Sequence, residues 1–140
     1  MKSLIFAVSI LIFLFINKAT TASIADKLCL EKANTDEETL KSLVRPNAPI
    51  PVDNEILGAY LECVMDPYIN DNNELIVDDK LKQFVTDGVL ARLDAKPKLA
   101  ALIADGCIKH CKDTKGDNKR KAAVNTAVCI QKKFVEYMEK

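Results

Sequence analysis

Apolar residues recur along this chain at helical spacing, and the strict alternation that marks half-buried strands does not occur. In residues 23–33, Ile24, Leu28 and Leu30 stand among charges. Thr35 followed by Glu38 then reads as a capping box ahead of Leu40, Leu43 and Val44, so a first, broken helix is predicted to end by Arg45. Pro46, Pro49 and Pro51 force extended chain over the next stretch. Asp53 or Asn54 can cap a helix in which Ile56, Tyr60 and Val64 recur every fourth residue, and Asp66-Pro67 stops it. Residues 70–74 are polar turn material. Asp78 or Asp79 caps a further helix bearing Leu81, Phe84 and Val85, with Gly88 as its predicted end. Pro97 suits the first position of the next helix, where Leu99, Leu102, Ile103 and Gly106 lead to Cys107 and Cys111 before Gly116 breaks it. Asn118 caps the longest periodic segment, with Ala123, Val124, Ala127, Val128, Gln131, Phe134, Val135 and Met138 on one stripe. About six helices with short connections predict an all-α domain.

The N-terminus carries a different signal. Residues 1–22 hold one early lysine, an apolar run from Leu4 to Ile16 interrupted only by Ser9, and then Ala19, Thr20, Thr21 and Ala22, which is the layout of a secretory signal peptide. The 13-residue run is shorter than the roughly 20 residues a membrane-spanning helix needs, so no membrane span is predicted. Residues 23–140 then form a single domain. Without Lys2 and Lys18 it has 18 basic against 20 acidic residues, a balance that recruits no nucleic acid. Secretion places the five cysteines in an oxidising compartment, where pairing is the default.

The same residues bear on other chemistries. Cys107, His110, Cys111 and Cys129 could supply four zinc ligands, since positions 107, 110 and 111 share a helical face, but an oxidising compartment favours disulfides. Asn70, Asn72 and Glu74 imitate the start of a calcium loop, yet Leu75 and Leu81 stand where Gly and Glu are required. With one histidine and no nucleophile elbow, zincin motif or phosphate-cradling loop, no enzyme, metal or cofactor is expected. His110 and the lysines of residues 109–121 read as solvated surface.

The spacing of the cysteines carries a resemblance. The interval from Cys29 to Cys63, the segment AYLECVM, the stretch INDNNELIVDDKLKQF, and CKDTKGDNKRKAA ahead of Cys129 together resemble the insect odorant-binding proteins over nearly the whole of residues 23–140. That family has six cysteines, with three residues between the second and third and eight between the fifth and sixth. Here those two positions hold Ala59 and Arg120. Both members of the family's second-to-fifth bridge are absent together, the pattern of its C-minus group.

The resemblance implies two bridges, Cys29 to Cys63 and Cys111 to Cys129, each contributing about 3 to 4 kcal/mol by loop-entropy arithmetic. From the residues alone, Cys107 and Cys111 lie one turn apart on one face and either could reach Cys129. The family spacing selects Cys111 and leaves Cys107 as a buried thiol, with a disulfide-linked dimer as the alternative. The implied activity is carriage of a small hydrophobic molecule in an apolar cavity by a monomer or weak dimer, with a chemosensory receptor as a further partner. Candidate walls on the predicted inward stripes are Ile56, Tyr60, Val64, Phe84, Val85, Leu102, Ile103, Val124, Val128 and Phe134, although plain core packing is the competing assignment for each. Tyr60 and Tyr137 are the candidates for a ligand hydrogen bond. The remaining class is a secreted venom, salivary or seminal protein that acts on a protein partner or sequesters a lipid.

Overall fold

Local side-chain chemistry sets most helix boundaries in the computed structural model, which describes residues 24–43, 51–92 and 96–139. The predicted signal peptide and the first two prolines of the extended stretch lie outside the described residues. Helix α1 spans Ile24–Lys32 and α2 spans Glu37–Leu43. Between them Asn34 takes a positive φ of 54°, while its N–H bonds Glu31 O and that of Thr35 bonds Leu30 O, so the last carbonyls of α1 are satisfied. The cap of α2 is Asp36, whose Oδ1 accepts from Thr39 N at 2.7 Å. The predicted capping box at Thr35 is therefore one residue early, because Thr35 is used to close α1.

Helix α3, Glu55–Met65, is capped by Asn54, and Pro67 tightens its exit into a short 3-10 turn, Asp66–Tyr68. Asn70 then organises a tight turn, its Oδ1 accepting from the backbone N–H groups of both Asn72 and Glu74. This is the segment that imitates a calcium loop. It docks on the later connection at residues 112–118 through Leu75 N to Thr114 O and Gly116 N to Asn73 O.

Asp78 caps α4, Asp79–Arg92. Gly88 does not end it, contrary to expectation. A glycine stops a helix by turning left-handed, and no described glycine has a positive φ; Leu81, Val85 and Val89 instead continue one buried stripe through it. Helix α5, Pro97–Cys111, ends five residues before Gly116, whose lack of a side chain lets the loop pass close to the backbone of Lys121 and Ala122. Asn118 Oδ1 accepts from Lys121 N at the head of α6, Lys119–Glu139.

Among the described residues six helices pack into one all-α body, with α3 and α5 flanking α6, α4 on α5, and α1 and α2 on α3. Being covered on two sides, α6 buries a face wider than one stripe, so Ala122, Thr126 and Ile130 join Ala123, Ala127 and Phe134 inside. Disulfides join Cys29 to Cys63 and Cys111 to Cys129, tying α1 to α3 and α5 to α6. Two disulfides call for an oxidising compartment, and no described helix is long and apolar enough to cross a membrane.

Candidate functional site

The candidate wall residues fall on one hydrophobic core with one exception. Tyr60, Val64, Val85, Ile103, Val124 and Phe134 are buried, and Ile56, Phe84 and Val128 pack half-buried against them. Leu102 is 67% exposed and leaves the set. The inward face of α5 is Ala100, Ile103, Ala104, Cys107, Ile108 and Cys111, which turns Leu99 and Leu102 to solvent; grouping Leu99 and Leu102 with Ile103 on one stripe merges two faces. Leu40, Met65, Leu81, Val89 and Ile130 are fully buried beside the nominated residues. Their own helical spacing was available as a signal, and Ile130 in particular sits one turn from Phe134.

The two phenols differ. Tyr60 is fully enclosed on α3. Tyr137 reaches from α6 to α5, where its Oη occupies the space that a side chain on Gly106 would fill, and Lys133 Nζ stands 5.4 Å from its ring centre. Cys107 lies on the same seam and is fully buried, and that burial pushes its thiol from 9.0 up to about 12. With Cys111 and Cys129 bonded to each other, the imagined zinc set is divided. Among the described residues, no group of three or more His, Cys, Asp or Glu side chains is placed to hold a metal ion.

The α3–α6 seam is built on other terms. Arg120, in the first turn of α6, leans back over α3 and donates from Nε to Glu62 Oε1 at 2.9 Å. One residue earlier, Lys119 Nζ meets Asp66 Oδ1 at 2.6 Å, and this hydrogen bond holds the ammonium above its ordinary 10.5. Two open clefts flank the Arg120–Glu62 pair. One, about 440 Å³, is lined among others by Val52, Asn54, Gly58, Lys119 and Val124; the other, about 410 Å³, by Lys32, Ala59, Cys63, Asp66 and Pro67. Glu62 and Arg120 line both. Ala59 and Arg120, the positions at which the family resemblance places absent cysteines, thus share a cleft on facing helices. Sequence reasoning nominated neither Glu62 nor Gly58; the i, i+4 spacing of Gly58 and Glu62 was legible, but their meeting with Arg120 is a long-range fact.

No family model, curated protein or solved structure matches this chain. What the arrangement can do chemically therefore rests on its own residues. The core is apolar and cross-linked, its one free thiol among the described cysteines is held protonated, and the polar concave surface between α3 and α6 carries the Arg120–Glu62 and Lys119–Asp66 ion pairs.

Proposed function

We propose that this protein is a secreted carrier that reversibly binds small hydrophobic molecules, built on the plan of an insect odorant-binding protein of the C-minus type. The observation that carries the reading is the pattern of cross-links: Cys29 pairs with Cys63 and Cys111 with Cys129, while Ala59 on α3 and Arg120 on α6 line one cleft without one. That is the pairing the resemblance implies, with the absent bridge falling between two helices that touch. The ligand would lie among the apolar side chains that converge from α3, α4, α5 and α6, of which Tyr60 and Phe134 are the largest fully buried. Ligands of this class are held by apolar area and a few polar groups, which suits an interior that offers phenols and few charges. Neither metal nor cofactor enters this activity.

A second reading has one observation in its favour. Leu99 and Leu102 stand three residues apart on α5 and are 51% and 67% exposed, a small apolar surface suited to a protein partner. The two readings part in one titration. The oxidised protein, residues 23–140, is mixed with the fluorescent apolar probe N-phenyl-1-naphthylamine and challenged with long-chain alcohols, esters, aldehydes and fatty acids. Carrier function requires saturable probe uptake and displacement at about micromolar concentrations. A folded, helical protein that takes up no probe overturns it and turns attention to Leu99 and Leu102.

A further inference from the structure

The two clefts on the α3–α6 seam meet at the paired side chains of Arg120 and Glu62, which line both. The stem of Arg120 crosses α3 at Gly58, where a Cβ would stand 3.0 Å from Arg120 Cδ and 3.4 Å from Cγ. A residue with a side chain at position 58 would push the arginine aside; glycine lets its methylenes lie flat on the helix. Gly58 is itself buried, and Val124, which lines the same cleft, is only 5% exposed and belongs to the hydrophobic core. At this point the covering of the core is therefore an arginine stem rather than a packed apolar side chain. The stem is held by its ion pair with Glu62, whose two side chains are 47% and 37% exposed. An ion pair so open to water contributes between about zero and 1 kcal/mol, so thermal motion breaks it often. Exposed side chains change rotamer in picoseconds to nanoseconds.

We propose that Arg120 is a swinging bar over a port, and that release of Glu62 joins the two clefts into one trough through which an apolar ligand passes between water and the core. The proposal rests on the carrier reading above and adds the route. Both clefts are charged at their rims, by Asp53, Glu55, Lys119 and Lys121 on one side and Lys32 and Asp66 on the other, so the trough stays hydrated when no ligand is in transit. Beneath the arginine stem lies Gly58, and Val124 lines the same cleft, so the floor at this point is apolar. A disulfide between positions 59 and 120 would remove the arm and fix the helices together. Arginine at this position closes the seam and leaves it able to open.

The test is the kinetics of N-phenyl-1-naphthylamine exchange, by stopped-flow fluorescence, in the oxidised protein and in Arg120→Ala, Glu62→Gln and Gly58→Leu/Arg120→Ala. Circular dichroism and the mass of both disulfides check each variant for its fold. Loss of the bar, in R120A, and loss of its latch, in E62Q, are each expected to raise uptake and release rates together by about threefold or more at nearly constant affinity. Added 1 M NaCl should speed the unmutated protein and leave R120A unchanged. Leucine at position 58 should refill the opening and slow exchange again. Saturable binding with unaltered rates in folded R120A and E62Q overturns the port while leaving the carrier reading intact. Absence of equilibrium uptake by the unmutated protein overturns the carrier reading and the port with it.

Discussion

The two flanks of α6 hold the same helix by opposite means. Toward α5 the contact is covalent and dry: a disulfide at Cys111 and, one turn back along α5, the enclosed Cys107 thiol beside Gly106, on which Tyr137 is seated. Toward α3 it is ionic and wet, with Arg120 on Glu62, Lys119 on Asp66, and open clefts around them. A cross-link restricts the unfolded chain and leaves the folded one rigid, whereas exposed charge pairs restrict neither strongly. The difference teaches that a small helical domain can spend its covalent stabilisation on one seam and keep its motion on another.

The contrast breaks most visibly when the staple is removed. Cys111→Ser together with Cys129→Ser should lower unfolding free energy by about 3 kcal/mol, read from urea denaturation, and should raise amide exchange across α5. A loss below about 1 kcal/mol would mean that packing, and not the cross-link, holds the α5–α6 seam.

The converse experiment makes the wet seam resemble the dry one. Ala59→Cys with Arg120→Cys, oxidised, should add about 2 kcal/mol and slow exchange along α3 and the first half of α6, with a narrower range of bound ligands. If the bond forms and neither exchange nor ligand range changes, that seam was already rigid.

A smaller effect sharpens the view of the core between the seams. Thr126 is fully enclosed and its Oγ1 has no hydrogen-bond partner. Thr126→Val replaces that hydroxyl by a methyl of the same shape and should stabilise the protein by about 1 kcal/mol, measured as a higher melting temperature.

The smallest effects belong to the charge pairs. Glu62→Gln should cost about 0.5 kcal/mol or less at low salt and nothing measurable in 1 M NaCl. The Lys119–Asp66 pair sets the pH arm: because Lys119 is raised in the fold above 10.5, its contribution is complete below pH 10.5 and is lost as pH climbs through the raised value. Asp66→Asn should abolish that alkaline component, as followed by pH-dependent urea titration.

The helices were legible in the sequence because they are local. Asn54, Asp78, Pro97 and Asn118 act where side-chain chemistry assigns them. The misreadings at Thr35, Gly88 and Leu102 share a cause: each residue has a local preference that its surroundings outvote. Thr35 is taken by the end of α1, Gly88 is carried through by the apolar stripe around it, and Leu102 falls on the wrong side of a helix whose small residues, Ala100 and Ala104, are the ones packed inward. The α3–α6 site was the least legible part. It depends on residues 58 and 62 meeting residue 120, and no periodicity records a contact of that range. Only the family spacing pointed at Arg120, and it did so as an absence.

Cys107 gives the molecule a built-in clock. A thiol that is fully buried and whose burial drives its ionisation up to about 12 is silent toward electrophiles in the closed protein. Each reaction with a maleimide or an aromatic disulfide then marks one excursion in which α5 and α6 came apart. The rate of labelling reports how readily the site opens, without a chromophore added to the chain, and does so even when the protein is a minor component of a crude mixture.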